Sequence, residues 1–281
     1  MTTPASELNF PTFETLKSAL CVPIEETLKL GDRPSLMQNL FADEKEAQKC
    51  LESDTSVISD LQLKLYAEQE RALLVVLQGI DSSGKSGVVQ SVFARTSPLG
   101  IKVTAFKAPN SQEASHDFLW RIHNAVPSTG TIGVFDRSHY EDVIVPKARG
   151  TLTDDVIQRR YHDINQFERY LTDNGIQILK CMLNVSYEVQ GERFRERLEV
   201  PRKRWKFNPS DLEDRARWSD FMSAYETCVS QCNEAHAPWY IVPADNRAFR
   251  NAIVGRLVRS YLEDMAPSYP DPGYRLEDFD I

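Results

Sequence analysis

Residues 73–89, LLVVLQGIDSSGKSGVV, carry the strongest indication of the fold. Its first six residues form an apolar run typical of a buried strand, and helical periodicity begins near Lys85. The glycine loop between them fits the pattern G-x-x-x-x-G-K-S/T, in which backbone N–H groups and a lysine converge on phosphate oxygens. The following helix would face these phosphates with its positive N-terminal dipole. The stretch therefore predicts a phosphate loop rather than a chance match in a turn, with phosphate-binding residues Gly79, Ser82, Ser83, Gly84, Lys85, Ser86 and Gly87.

Asp81 is unexpected inside such a loop, because a carboxylate repels the anions that the loop binds. The repulsion disappears if a cation lies between the carboxylate and the phosphates, and Mg²⁺ prefers oxygen ligands. Asp81 is therefore interpreted as a metal ligand that also orients the acceptor for in-line attack. Ser86 supplies the hydroxyl that ordinary phosphate-loop enzymes place on Mg²⁺.

Five apolar runs rich in β-branched residues predict strands, and a stretch with helical periodicity follows each of the first four. Such alternation of strands and helices is typical of a parallel sheet. Because the runs are apolar almost without interruption, helices are expected to cover both faces of the sheet. The sequence thus predicts an α/β, phosphate-loop kinase-like fold of three layers, with a five-stranded parallel sheet over residues 73–78, 101–106, 131–136, 176–185 and 239–243.

A second group of polar residues follows the third predicted strand, in the segment FDRSHYEDV. Ligands bind at the carboxyl ends of the strands in an open α/β sheet. Asp136 ends this strand and is expected to hold Mg²⁺ or its waters, although a strand-terminal aspartate can also serve only as a turn residue. Arg137 is assigned to a phosphate, and Glu141 and Asp142 are assigned to the metal or the acceptor. A loop held by plain salt bridges is the alternative.

The segment RFRERLEVPRKRWK, residues 193–206, holds seven basic and two acidic residues in a chain of net charge −8. Its second half follows Pro201 in a predicted turn between two helices. The basic cluster in this turn is too dense to be neutralised locally, and it resembles the lid of small phosphotransferases. Its residues are Arg202, Lys203, Arg204 and Lys206. The sequence leaves open whether the first half is a solvated helix face, in which Arg193, Arg195 and Arg197 pair with Glu196 and Glu199.

The remaining segments are divided by composition. Residues 1–70 contain no predicted strand, and we interpret them as a helical extension that packs on the domain or on a second subunit. The phosphate-loop kinase domain is assigned to residues 71–265, with the lid at about 200–208. The acidic, proline-rich residues 266–281 are expected to form an irregular tail.

Bulk composition limits the classes of function. The chain has 281 residues, of which 41% are hydrophobic and 26% charged, as in an ordinary globular protein. Its net charge of −8 argues against binding to nucleic acid or to an anionic membrane. Its five cysteines lack C-x-x-C spacing, which argues against a disulfide framework or a zinc site. Because no signal peptide and no long apolar segment is evident, a cytoplasmic location is expected.

Six motifs occur in the order of one known family. The chain resembles the polyphosphate kinase 2 family, whose phosphate-loop kinases move phosphoryl groups between inorganic polyphosphate and nucleotides. The resemblance extends from about residue 70 to residue 272. The motifs are LQGIDSSGKSG, FKAPNSQEASHDFLWRIH, FDRSHYEDV, RRYHDINQFE, KRWKF and APWYIVPADNRAFRN.

The resemblance implies the substrates and the site. It implies transfer from polyphosphate to ADP and, because FKAPNSQEASHDFLW and SHYEDV look most like the branch with wider scope, to AMP. It also implies Mg²⁺ as cofactor, with Mn²⁺ as an alternative, and a homo-oligomer. The metal ligands would be Asp81, Ser86 and Asp136. The implied active-site residues are Asp81, Lys85, Asp136, Arg137, Glu141, Asp142 and Arg160, with Arg160 on a phosphate and Lys203, Arg204 and Lys206 in the lid.

Two other functions fit parts of this pattern. An ATP-dependent nucleoside or nucleotide monophosphate kinase shares the loop, the sheet and a basic lid. A non-catalytic nucleotide-binding regulator shares only the loop, and it would not need the carboxylates or the lid. Polyphosphate has no base to recognise and requires only a row of cations, which Arg137 and residues 202–206 can supply.

Overall fold

A computed structural model describes residues 10–279 and contains the predicted five-stranded parallel sheet. The strand order is β2-β3-β1-β4-β5, so that the strand preceding the glycine loop lies at the centre. All four pairings between neighbours are parallel. The strands are β1 (Ala72–Gln78), β2 (Ile101–Ala105), β3 (Ile132–Asp136), β4 (Ile176–Asn184) and β5 (Trp239–Pro243).

Helices connect the strands and precede the sheet. The α-helices are α1 (Phe13–Leu20), α2 (Glu44–Glu68), α3 (Lys85–Val92), α4 (Ser111–Ala114), α5 (Trp120–His123), α6 (Glu141–Arg149), α7 (Asp154–Asp173), α8 (Tyr187–Glu199), α9 (Ser210–Ala216), α10 (Trp218–Gln231) and α11 (Arg247–Met265). Short 3₁₀ helices lie at Leu30–Asp32, Pro98–Gly100, Pro201–Lys206 and Leu276–Asp278. None of the helices in the described chain has both the length and the apolar composition needed to cross a bilayer.

Burial of the strands depends on what covers them. Every residue of β1, β3 and β5 is buried, and the N-terminal segment covers the outer side of the edge strand β5 through the Val22 N–H to Trp239 carbonyl hydrogen bond. In contrast, the opposite edge strand, β2, has exposed residues, and the Val103 side chain is 48% exposed. Its apolar run therefore reflects β-propensity at the edge rather than complete burial.

The N-terminal segment packs on the sheet and its last helix within the same chain. The Val22 N–H donates to the Trp239 carbonyl oxygen of β5 at 2.9 Å. On α2, the buried Asp54 carboxylate pairs with Arg256 and Arg259 of α11 at 2.9 and 3.1 Å. The domain limits at residues 70 and 265 stay predictions, and residues 1–9 and 280–281 of the predicted extension and tail lie outside the described residues.

The sheet brings the two predicted functional segments together. In the β1–β3 ladder, Leu77 pairs with Asp136, so the carboxyl ends of these strands lie side by side. The loop after β1 carries the glycine motif, and the loop after β3 carries the segment from Arg137 to Asp142. The edge where ligands bind in open α/β sheets therefore contains both.

Candidate active site

The glycine loop joins β1 to α3 through backbone conformations with positive φ, which residues other than glycine rarely adopt. Gly79 has a φ of +145°, and its missing Cβ would lie 2.7 Å from the Ser83 Oγ. Gly84 has a φ of +106° and is the N-cap of α3. Ser82 has a φ of +64°, which a non-glycine residue adopts at a cost. This backbone wraps the loop around the N-terminus of α3.

Lys85 is a buried cation held by backbone oxygens. Its side chain is 6% exposed, and its Nζ donates to the Gly79 carbonyl at 2.6 Å and more weakly to the Ile80 carbonyl at 3.4 Å. Burial lowers the pKa of Lys85, and the nearby charge of Arg137 acts in the same direction. Within residues 10–279 no carboxylate is in direct contact with this ammonium group, which lies in the position from which a phosphate-loop lysine reaches its ligand.

Ser86 and Asp136 form a second polar pair at the strand ends. The Ser86 hydroxyl donates to Asp136 Oδ2 at 2.8 Å, and Asp136 is buried. A hydroxyl and a carboxylate are oxygen donors of the kind that Mg²⁺ uses. Among the described residues, no three His, Cys, Asp or Glu side chains converge on one point. The donor set thus suits Mg²⁺, which binds proteins through one or two carboxylates together with waters and substrate phosphates.

Arg137 lies between two carboxylates. Its Nη2 donates to Asp81 Oδ1, and its Nε lies 3.8 Å from Glu141 Oε2. Gln78 donates to Glu141 Oε1 at 3.1 Å. Burial raises the pKa of Glu141, although Arg137 and Lys85 oppose this shift. Burial opposes the charged form of Arg137, but Asp81 and Glu141 raise its pKa overall. In this state the guanidinium that is predicted to bind a phosphate is engaged by Asp81.

Asp142 and Arg160 form a neighbouring cluster rather than part of the Arg137 group. The Asp142 carboxylate accepts from Arg121 at 3.0 Å, and Arg121 also donates to the Lys107 carbonyl at 2.7 Å. Arg160 donates to the Asp142 carbonyl at 2.6 Å, and its guanidinium lies 4.8 Å above the Phe118 ring. Arg121 therefore links the segment after β2 to the segment after β3. Sequence reasoning gave Arg121 no role, because its partners are distant in the chain.

The predicted lid is a short 3₁₀ helix between α8 and α9, as expected for a turn between helices. Lys203 pairs with Glu196, and the Arg204 Nε donates to the Leu198 carbonyl at 2.8 Å. The prediction that local groups would not neutralise this cluster is therefore wrong for Lys203. Trp205, which lies between Arg204 and Lys206 in the sequence, is 79% exposed. In this state these lid contacts are with α8 and not with the phosphate loop.

Asp211 is a site residue that sequence reasoning missed. It lies in α9, directly after the lid, and its carboxylate pairs with Arg197 at 3.0 Å. Burial and the negative charge of Asp81 together raise the pKa of Asp211 to about 6, against the opposing effect of Arg197. No motif marks this position, because the proximity of α9 to the loop is a tertiary property.

Arg193 corrects the alternative of a solvated face on α8. Its side chain is only 7% exposed and donates to the Ser82 carbonyl of the phosphate loop at 2.8 Å. Arg195 is exposed, as that alternative requires, and Arg197 pairs with Asp211. The three arginines therefore have three different environments, since successive positions on a helix face different directions.

A fully buried ionic cluster lies behind the segment after β3. The Glu168 carboxylate accepts from Lys180 at 2.7 Å, from the Tyr140 hydroxyl at 2.7 Å, and is 3.2 Å from His139 Nε2. Lys180 also donates to Tyr140 at 2.9 Å and to the Cys232 carbonyl at 2.8 Å. Burial opposes ionisation, but Lys180 and His139 hold the pKa of Glu168 at about 2. This cluster fixes His139 and Tyr140, two of the three residues between Arg137 and Glu141.

Comparison with known proteins identifies the family of this chain. The model of the family Polyphosphate kinase 2 (PPK2) matches residues 41–270. An AMP/ADP-polyphosphate phosphotransferase of Meiothermus ruber is 43% identical over 215 residues, which cover 76% of this chain and 80% of that protein. An ADP-polyphosphate phosphotransferase of Rhodopseudomonas palustris is 35% identical over 262 residues, covering 88% of this chain and 89% of that protein.

A solved structure extends the similarity to the whole fold. The crystal structure of Polyphosphate Kinase 2 from Arthrobacter aurescens TC1 has a TM-score of 0.90 to this chain and 34% sequence identity. The similarity covers 99% of this chain and 97% of that one. The match includes the N-terminal helices as well as the sheet. The chain therefore belongs to the polyphosphate kinase 2 family and is a transferase of phosphoryl groups between polyphosphate and nucleotides.

Proposed function

We propose that this chain transfers phosphoryl groups from inorganic polyphosphate to both ADP and AMP, with Mg²⁺ as cofactor. The observation that carries the proposal is the contact between Asp81, inside the phosphate loop, and Arg137, directly after β3. The contact joins a group suited to a metal or an acceptor to a group suited to a phosphate. A phosphate chain and a nucleotide phosphate can both reach this point.

Positioning and charge perform most of the chemistry. Phosphoryl transfer passes through a loose transition state whose negative charge is spread over the equatorial oxygens. Lys85 within the loop and Arg137 beside Asp81 are the cations assigned to this charge, and the loop N–H groups add fixed donors. Arg137 would exchange Asp81 for the phosphate chain when substrate binds. Asp81 would then be free to orient the acceptor.

Ser86, Asp136 and Asp81 would hold Mg²⁺ together with substrate oxygens. When bound, the ion neutralises charge on the phosphates and orients them. The hydrogen bond between Ser86 and Asp136 already places two of these donors 2.8 Å apart. Lid closure would bring Lys203, Arg204 and Lys206 to the polyphosphate and exclude water.

Use of AMP is supported by the cluster that follows the two strands. Arg121 connects the Lys107 carbonyl of the FKAP segment to the Asp142 carboxylate, and Arg160 donates to the backbone carbonyl of Asp142. This arrangement places two guanidinium groups at Asp142 of the SHYEDV segment, and guanidinium groups suit the phosphate of a nucleotide. The relative from Meiothermus ruber is named for both AMP and ADP, whereas the one from Rhodopseudomonas palustris is named for ADP.

The test is a donor and acceptor assay. Purified protein is incubated with Mg²⁺, polyphosphate as the sole donor, and AMP, ADP, GMP or GDP supplied separately. We expect ADP to give ATP, and AMP to give ADP and then ATP, with activity lost on chelation by EDTA. Product formed only when ATP replaces polyphosphate would favour an ordinary nucleotide kinase. Nucleotide binding without transfer from either donor would favour a regulator.

A further inference from the structure

Two buried arginines lie against the carbonyl side of the phosphate loop. Arg193 of α8 is 7% exposed, and Arg250 of α11 is 3% exposed. Arg193 donates to the carbonyl oxygens of Ser82 and Ser83 at 2.8 and 3.2 Å, and Arg250 donates to the Ser83 oxygen at 3.2 Å. Two helices that are distant in sequence therefore hold the same loop carbonyl.

These contacts fix the direction of the loop N–H groups. In a trans peptide the C=O and N–H bonds point in opposite directions. The arginines that hold the Ser83 oxygen therefore turn the Gly84 N–H to the other side of the loop. Gln190 acts in the same way on the preceding turn, because it donates to the Asp81 carbonyl at 3.0 Å and so turns the Ser82 N–H away. Within residues 10–279, neither N–H donates to a protein acceptor.

In the described chain no carboxylate oxygen lies within 4.0 Å of either guanidinium, although the more distant Asp245, Glu196 and Glu192 act to raise the pKa of Arg193 against its burial. Apart from the loop, Arg193 donates to the carbonyls of Ala244 and Asp245, and Arg250 to the side-chain oxygen of Asn251 at 2.8 Å. Burial, together with the charges of Arg193 and Arg247, lowers the pKa of Arg250 to about 9. Burying two neighbouring cations without an anion is costly.

The glycines of the loop make room for Arg250. A Cβ at Gly84 would lie 1.9 Å from its Nη1, and a Cβ at Gly87 would lie 3.1 Å from its Nη2. Gly84 also needs its positive φ, but Gly87 lies in α3 without that requirement. The glycine after the G-K-S sequence is therefore explained by space for Arg250.

We propose that Arg193 and Arg250 are positioning residues that aim the loop N–H groups at the phosphate chain and place beneath it two positive charges without a direct carboxylate contact. The inference rests on the proposed function for the identity of this polyanion. The bound phosphates supply the negative charge that the fold leaves out at this point. The arginines act through the loop and do not touch the transferred group.

Binding measured without turnover tests this role. Calorimetry with tripolyphosphate and, separately, ATP is carried out on wild type, Arg193→Met and Arg250→Met. Each variant is expected to bind both ligands at least ~10-fold more weakly, the scale of one charge-assisted contact. Arg256→Met is the matched control, because Arg256 also lies on α11 but pairs with Asp54 at 2.9 Å. It should lower Tm and leave both affinities unchanged.

Wild-type affinity in a folded Arg250→Met protein, or an equal loss in the Arg256→Met control, would overturn the proposal. If a methionine variant does not fold, Arg193→Lys and Arg250→Lys replace it, because lysine keeps the charge but loses the planar fork of donors. These variants should bind at least ~3-fold more weakly, and unchanged affinity in both would again overturn the proposal. Failure of the wild type to use polyphosphate as donor, with ATP still bound, would contradict the proposed function alone.

Discussion

The cluster around Glu168 and the phosphate loop both bury charged groups, but only the first pairs its cation with a carboxylate in direct contact. In the Glu168 cluster, the carboxylate contacts Lys180, Tyr140 and His139, and every partner is within 3.2 Å. At the phosphate loop, Lys85, Arg193 and Arg250 are equally inaccessible, yet their contacts in the described chain are carbonyl and amide oxygens.

This difference distinguishes charged groups that stabilise the fold from charged groups that are available to bind an anionic ligand. A balanced buried pair is costly to break, because either partner alone becomes an uncompensated charge. A buried cation without a carboxylate contact already destabilises the free protein. Its removal should therefore raise the free energy of unfolding while it weakens anion binding. The two clusters should therefore respond oppositely to similar substitutions.

Lys85→Met is expected to have the largest effect on activity. Loss of the loop cation should lower kcat by roughly 1,000-fold, the upper range for one electrostatic contact in a transition state. Tm should stay equal to or above that of wild type, since a buried cation without a carboxylate partner is removed. Kinetics with polyphosphate and ADP, combined with calorimetric melting, measure both effects. Lys180→Met is the matched control in the Glu168 cluster, and its Tm should be lower than that of wild type. A large decrease of Tm in Lys85→Met would contradict the comparison.

Glu168→Gln should reveal the balanced cluster through stability. It leaves the Lys180 ammonium buried without its carboxylate, which is expected to cost about 3 kcal/mol of unfolding free energy. The pKa of Glu168 is about 2, below its value in an unfolded chain, so its contribution is present above about pH 4.3 and is lost as pH falls towards 2. Denaturant unfolding at pH 7 and at pH 3 should therefore show a smaller difference from wild type at pH 3. An equal difference at both pH values would argue against an ionised Glu168.

Asp81→Asn tests the carboxylate inside the loop. If Asp81 orients metal and acceptor, kcat should fall by about 100-fold. Tm should stay near that of wild type, because the partly exposed pair with Arg137 contributes little and Glu141 remains beside Arg137. Steady-state kinetics and a thermal melt are sufficient, with Asp60→Asn on the exposed face of α2 as control. Near-normal turnover would remove Asp81 from the mechanism.

Asp211→Asn should give the smallest effect, and it should raise stability. The pKa of Asp211 is raised to about 6, so the folded state binds a proton that the unfolded state releases between about pH 4 and pH 6. Stability that this group contributes is therefore lost as pH rises through this range. At pH 8 the variant should melt about 2 °C or more above wild type, whereas at pH 4 the two proteins should have the same Tm. A lower Tm at pH 8 would mean that the pair with Arg197 outweighs burial.

Much of the fold and part of the site were predictable from local patterns. The strand runs fall within one residue of the observed strands at nearly every boundary, because buried parallel strands are marked by apolar residues between turn signals. The family and the transfer between polyphosphate and nucleotides are confirmed by the comparisons. The metal, the oligomeric state and the individual catalytic roles stay predictions.

The residues that were missed share one physical property. Arg193, Arg250 and Arg121 contact the site from helices or segments far away in sequence, through backbone carbonyls or a single ion pair, and Asp211 lies close enough for the charge of Asp81 to raise its pKa. A carbonyl acceptor has no residue identity, so no motif can encode such a contact. The spacing of the lid cations likewise gave no sign that Lys203 would pair with Glu196.

Local sequence patterns were sufficient to predict the order of strands and helices, the phosphate loop and the acidic and basic residues after β3, since each depends on neighbours within a few positions. Which buried cations contact a carboxylate depends instead on the packing of distant segments. Lys180 and Lys85 both lie in or beside apolar strands, yet α7 brings Glu168 to the first, and no carboxylate is within 4.0 Å of the second in the described chain. The reason is that charge compensation depends on distances of a few ångströms between segments, and the packing of helices on the sheet sets those distances.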